Sequence, residues 1–241
     1  MSLDELPPLK HLLLLCCTPR VGSSVLASEL VKIRVLGNAS EHFHLNKIGS
    51  LKSADELDLY VHENLLPSRR SRHAFSVCLM YPHIQKIRSL AEEVNPIDLV
   101  TKCFAAPEVH LVRITRRDKL QQAISLVRAQ QTGAWDSRNS EKKTPVFDRH
   151  AIQKAIDKLN ADEELWLETI EMSSLSLDTT LIYEDDLEDQ EDRFRSVELL
   201  LQLFGLTDSD HMSKLKARPA HLQRQADHLN REWAEKFLAD D

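Results

Sequence analysis

Residues 12–30 read LLLLCCTPRVGSSVLASEL, and their chemistry runs apolar strand, short turn, helix. Leu12 to Cys17 is an unbroken apolar run. At that length, with a Pro- and Gly-containing turn after it, it predicts a strand buried on both faces. Val25, Leu26, Leu30, Ile33 and Val35 then predict a helix over 24–35, with Ser23 or Ser24 as its N-cap. Between them lies Thr18-Pro19-Arg20-Val21-Gly22-Ser23-Ser24. Successive backbone N–H groups at such a turn, with the positive end of the helix dipole, suit a phosphate-like group. Gly22 lets the backbone curl close to a ligand, Ser23 and Ser24 add hydroxyl donors, and Arg20 adds a planar cationic fork. The turn is not the nucleoside-triphosphatase loop. That motif needs Gly-Lys-Ser/Thr preceded by a second glycine, whereas Gly22 is followed by Ser23 and Cys17 stands where the first glycine would. Taken alone, the same residues also fit a plain strand-to-helix turn with a surface arginine.

Outward from this segment, strand-length apolar runs alternate with helical patterns. Further strands are predicted at 74–80, 109–115 and 179–183. Helices are predicted at 54–66 (ending at Pro67), from Pro82, and at 119–131, 151–172, 195–204 and 226–238. The alternation predicts an α/β fold: a parallel sheet flanked by helices. In such sheets ligands bind at the carboxyl ends of the strands, which places the loops after Cys17, Met80, Thr115 and Tyr183 on one edge. Residues 135–145 read as a polar surface loop. With no repeat or linker visible, the expectation is one domain over 1–241, with a helical tail from about 221.

The 241 residues suffice for a sizeable core. A net charge of −7 and a pI near 5.9 argue against a nucleic-acid partner, which needs a basic face. Any anionic ligand must therefore be held by local positive charge. The run 12–17 is far too short to cross a bilayer and lacks a cleavage site, and no transmembrane segment is visible elsewhere. Cys16, Cys17, Cys78 and Cys103 show neither metal nor disulfide spacing, so they read as reduced, buried thiols of a cytoplasmic protein. Cys16 and Cys17 should point to opposite faces of their strand.

A second charged element is Arg116-Arg117-Asp118-Lys119-Leu120-Gln121-Gln122-Ala123-Ile124-Ser125. Arg117 stands at a strand end and Ser125 about two helical turns later; the two could grip one phosphate. The competing reading is a solvated charged turn.

The two elements together resemble the sulfotransferase superfamily, which uses PAPS (3'-phosphoadenosine 5'-phosphosulfate) on a P-loop-like fold. The sequence looks closest to the bacterial trehalose sulfotransferase family, through CCTPRVGSSVLASEL, SEHF, FSVCLMYPH, HLVRITRRDKLQQAISLVRAQQTGAW, Tyr183-Glu184-Asp185 and LQRQADHLNREWAEKF. The resemblance implies a PAPS-dependent enzyme acting on a carbohydrate hydroxyl, with Thr18, Pro19, Arg20, Gly22, Ser23 and Ser24 around the 5'-phosphosulfate. It assigns Arg117 and Ser125 to the 3'-phosphate and Glu41 to the base that deprotonates the acceptor; without it, Glu41 reads as an acidic loop residue. Arg20 would also stabilise the leaving group. His42, Gln131 and Trp135 are candidate sugar contacts beside Glu41. His42 and His44 lack a third ligand in the sequence nearby, so no metal is expected. The family further suggests a homodimer. One departure matters: relatives carry a lysine where Cys78 stands. It motivates an alternative, a catalytically impaired relative that binds the nucleotide as a regulatory module. A kinase is disfavoured by the absent Gly-Lys-Ser/Thr.

Overall fold

Four strands, β1 (His11–Cys17), β2 (Ala74–Met80), β3 (Glu108–Thr115) and β4 (Leu177–Ile182), form one parallel sheet in the order β2-β1-β3-β4. The computed structural model describes residues 7–69, 71, 73–135, 143–206, 209–216 and 228–239. Ten α-helices are found among them: α1 (Ser23–Ile33), α2 (Leu45–Ile48), α3 (Ala54–Tyr60), α4 (Tyr81–Arg88), α5 (Pro96–Phe104), α6 (Lys119–Thr132), α7 (Arg149–Glu171), α8 (Gln190–Leu203), α9 (Ser209–Lys216) and α10 (His228–Ala239).

The two-residue period of β1 divides the core. Leu12, Leu14 and Cys16 lie in one cluster with Ile84, Ile87, Ile97, Val100 and Trp166 from α4, α5 and α7. Leu13, Leu15 and Cys17 lie in a second, with Leu26 and Leu30 of α1, Val197 and Leu200 of α8, and Leu215 of α9. Both faces of the sheet are covered, as parallel crossovers require. A third cluster joins Ala123 and Ile124 of α6, Leu159 of α7, and Trp233 and Phe237 of α10. The expected start of the tail, 221–227, and most of the polar loop expected over 135–145 lie outside the described residues.

Several boundaries differ from the sequence-based expectation. The stretch 54–66 is not one helix. α3 ends at Tyr60 and passes into a π-helical turn (Val61–Leu65) and a 3₁₀ turn (Leu66–Ser68); Pro67 has no N–H to continue the α pattern. Tyr183 does not extend β4 but opens a π-helical turn (Tyr183–Leu187), where Asp186 accepts the Ile182 N–H at 2.6 Å. α8 begins at Gln190, five residues before the predicted start. α5 was unforeseen, although Asn95 caps the Ile97 N–H at 2.9 Å and Pro96 takes the favoured first position.

The strand order decides where the chemistry can sit. After β1 the chain crosses to β2 on one side, and after β3 it crosses to β4 on the other. The loops leaving β1 and β3 therefore part and open a crevice at the carboxyl edge.

Candidate active site

The turn after β1 occupies that crevice. Thr18 and Val21 are buried, while Arg20 (φ +67°) and Gly22 (φ +88°) are both left-handed. A Cβ on Gly22 would stand 2.7 Å from Tyr183 Cδ2, so both its conformation and the space around it demand glycine. For Arg20 the left-handed backbone costs about 1–2 kcal/mol and is held by its neighbours. Its Nε donates to Ser125 Oγ on α6 at 2.9 Å, an Nη donates to the Trp135 carbonyl, and its own carbonyl faces Arg116 Nη1 at 3.4 Å. These contacts close the crevice between the β1 and β3 loops.

A polar scaffold fixes the turn from beneath. Gln122 of α6 donates to Thr18 Oγ1 at 3.0 Å and to the Pro19 carbonyl at 2.7 Å. Glu163 of α7 receives Arg113 Nη2 and Lys119 Nζ, both at 2.6 Å, and the Thr115 hydroxyl at 2.7 Å. The Trp166 indole donates to the Cys17 carbonyl at 2.9 Å, where the turn leaves the sheet. A turn held in this way is ordered by the protein's own contacts, and a preordered turn lowers the cost of binding for any ligand placed on it.

The two arginines after β3 behave differently. Arg116 is 8% exposed and lies over the Tyr183 ring at 4.5 Å, with Glu184 Oε1 3.7 Å from its Nε. Arg117 has a side chain 60% exposed and pairs with Asp185. Burial raises the Glu184 carboxyl, but the Arg117 and Asp118 backbone N–H groups, at 3.0 and 3.1 Å, outweigh it and hold that carboxyl below the usual range.

Glu41 approaches from beyond the free edge of β2. The segment before it bridges Ser40 to Val77 in parallel, and the Ser40 carbonyl accepts the Cys78 N–H at 2.9 Å. This carries Glu41 to the end of the strand, where its Oε2 stands 3.7 Å from His83 Nε2. Burial raises the Glu41 carboxyl, partly offset by His44 and Lys47. His83 is pushed down to about 4, chiefly by burial. Next to them Cys17 Sγ and Cys78 Sγ lie 3.3 Å apart. Both thiols are buried, and the Cys78 hydrogen bond together with burial raises that of Cys17 well above the normal range.

The model of the Stf0 sulphotransferase family matches residues 13–240. The chain belongs to that family. No curated protein matches it. Among solved structures it is similar to the sulfotransferase domain from the Synechococcus PCC 7002 olefin synthase, at 10% identity and a TM-score of 0.48, covering 98% of this chain and 90% of that one.

This sulfotransferase brings several of the expected site residues together. Thr18, Pro19, Arg20, Gly22, Ser23 and Ser24 form one turn, and Ser125 and Trp135 reach it through Arg20. Arg117 stands at the same edge with its charge turned to Asp185. Gln131 spends its amide on Val146, bonding both the backbone N–H and the carbonyl. His42 turns the other way, against Phe75 and into a cavity of about 190 Å³ that it shares with Asn38 and Arg69. That cavity lies toward the opening of β2, away from the carboxyl edge. The solvated-turn alternative fails for Arg116, which is buried, and for Lys119, which is tied to Glu163. Gln122, Glu163, Trp166 and His83 were not anticipated. The Arg-Arg doublet was visible in the sequence; the burial of its first member was not.

Proposed function

We propose that this sulfotransferase takes its sulfuryl group from PAPS and transfers it to a carbohydrate hydroxyl. The observation that carries the reading is the Arg20–Ser125 contact of 2.9 Å, which joins the two elements expected to hold opposite ends of one doubly phosphorylated adenosine. The 5'-phosphosulfate would lie on the turn 18–24, against its N–H groups, Arg20 and the start of α1. The 3'-phosphate would take Arg117 from Asp185 and Ser125 from Arg20, exchanging two internal contacts for contacts to a multiply charged anion.

In this reading Glu41 removes the proton of the acceptor hydroxyl as its oxygen attacks sulfur in line. The bond from sulfur to the bridging oxygen breaks, and 3',5'-ADP leaves with the charge on its 5'-phosphate. A carboxyl raised by burial is a stronger base than an ordinary glutamate once ionised. Trp135, 49% exposed beside the turn, offers an aromatic face suited to a sugar. The four buried, unpaired thiols support a reducing, cytoplasmic setting. We take the chain as a single catalytic domain that dimerises as its family suggests.

One observation favours the impaired-relative reading. Cys78, where relatives carry lysine, is buried against Cys17 and brings no cation. Arg20, in the turn itself, is then the cation that would have to meet the developing charge.

Thermal shift with 3',5'-ADP in the absence of magnesium tests the nucleotide, and labelled-sulfate transfer from PAPS to a panel of sugars tests the acceptor. Arg117→Ala is expected to weaken 3',5'-ADP by about 10- to 100-fold, the scale of lost charge-assisted bonds, while 5'-AMP changes little. Equal losses for both nucleotides would remove the 3'-phosphate assignment. Stabilisation by the nucleotide without transfer to any sugar would favour the regulatory reading.

A further inference from the structure

Glu41, His44 and His83 place one ligand atom each within 4.8 Å of one another. That composition fits a cation site, so the positions of the imidazole protons decide the matter. His83 Nδ1 accepts the Met80 N–H at 3.4 Å, and His44 Nδ1 accepts the Asn46 N–H at 3.2 Å. Assigned from these bonds, the neutral tautomer of each ring has its proton on Nε2. Histidines that bind metal are arranged the other way: one nitrogen is a bare donor and the other gives its N–H to a carboxylate or carbonyl. In His83 the edge turned toward Glu41 is an N–H, 3.7 Å from Oε2. That is just beyond hydrogen-bond length, and it is matched to an anion.

The burial of the two side chains differs in the same sense. His83 is 5% exposed and Glu41 41%, so one is anchored and the other reaches solvent. The anchor comes from the fold. His83 lies in the first turn of α4, where its ring accepts a backbone N–H that the helix leaves unpaired.

We propose that His83 is the positioning residue for Glu41: its Nε2–H, 3.7 Å away, draws one carboxylate oxygen toward it so that the other meets the acceptor hydroxyl. This rests on the reading of Glu41 as the base. A neutral donor suits the task better than a cation, because a cation would stabilise the carboxylate and weaken it as a base. Burial keeps the His83 ring neutral down to about pH 4. The other groups that bear on Glu41 are His44, Lys47 and the protonated Cys17 thiol.

Two substitutions separate positioning from capping. His83→Asn keeps an oxygen able to accept the Met80 N–H but is too short to reach Glu41. His83→Gln places an amide N–H near the position of Nε2. His83→Asn is expected to lower kcat about tenfold or more, the scale of a misplaced base, and to move the acidic limb of kcat/KM to higher pH, with the Kd for 3',5'-ADP unchanged. His83→Gln should restore kcat and the limb. A wild-type rate and profile in His83→Asn, or equal impairment in both variants, overturns the proposal. The Glu41→Gln background separates it from the base assignment. Wild-type turnover in Glu41→Gln removes the base itself. A slow Glu41→Gln that His83→Asn slows by its full additional factor leaves the base standing and overturns the positioning role. Long-range ¹H–¹⁵N spectra of the unsubstituted protein near pH 7 read the His83 tautomer directly, and a proton on Nδ1 overturns the proposal whether or not the variants fold.

Discussion

Histidines and carboxylates gather at both ends of the parallel sheet, and the two groups are wired differently. At the amino edge Glu108 lies 2.7 Å from His11 Nδ1 and 3.4 Å from His110 Nε2, and Asp178 lies 3.0 Å from His110 Nδ1. Asp178 also accepts the Leu111 N–H at 2.8 Å, and both imidazoles pack edge-on against Phe204. These contacts tie β1, β3 and β4 together. At the carboxyl edge Glu41 and His83 stand 3.7 Å apart, the carboxyl raised and the imidazole lowered by burial. The same residue types therefore do different work. The amino-edge groups fasten strands, whereas the partly matched, partly buried pair is the arrangement that the proposed base requires.

The largest expected break in this contrast is catalytic. Glu41→Gln should reduce sulfate transfer by about 10²–10⁴-fold with unchanged 3',5'-ADP affinity. Glu108→Gln, at the amino edge, should leave turnover within about twofold, as a substitution remote from the chemistry. Similar rate losses in both would erase the functional difference between the edges.

Acid sharpens it next. His83 titrates near 6.5 when unfolded and at about 4 when folded. A lowered value means that its contribution is fully present above pH 6.5 and is lost as pH falls toward 4. By linkage the loss amounts to at most about 3 kcal/mol. Denaturation at pH 7.5 and pH 4.5 should show a smaller acid loss in His83→Gln than in the unsubstituted chain. An identical loss would mean that burial does not hold the charge off this ring.

The smallest effect concerns two glycines, one near each edge. Gly22 and Gly205 both have positive φ, but a Cβ meets Tyr183 Cδ2 at 2.7 Å in the first and nothing within 4 Å in the second. Gly205→Ala should cost only the backbone term, about 1 kcal/mol or 2–4 °C in Tm for a chain of this size. Gly22→Ala should melt several degrees lower still, and equal melting temperatures would show that the Tyr183 ring yields freely.

Much of this architecture was legible locally. β2 has the predicted bounds, β1 and β3 begin one residue earlier, and the helix after the first turn begins at Ser23, although its cap is Gly22 and not Ser23 or Ser24 as the sequence suggests. Cys16 and Cys17 face opposite cores, as the strand period requires. The π-helical turns were not legible, because hydrophobic spacing hardly separates them from ordinary helix. Nor were the supports of the site. Glu163 on α7 meets Arg113, Thr115 and Lys119, and Gln122 meets Thr18; each of these contacts joins segments far apart in the chain. His42 and His44 looked alike as loop histidines, yet the local fold turned one toward Phe75 and the other toward His83.

The sequence by itself determined the alternation that makes a parallel sheet and the turn that presents N–H groups at a helix start, because strand, turn and cap preferences act over a few neighbouring residues. Tertiary structure alone decided which charges are spent and which remain available. It buried Arg116 on Tyr183 and left Arg117 in solvent with Asp185. It also brought His83 to Glu41, since the energy of a charge depends on burial and on partners that only the folded chain assembles.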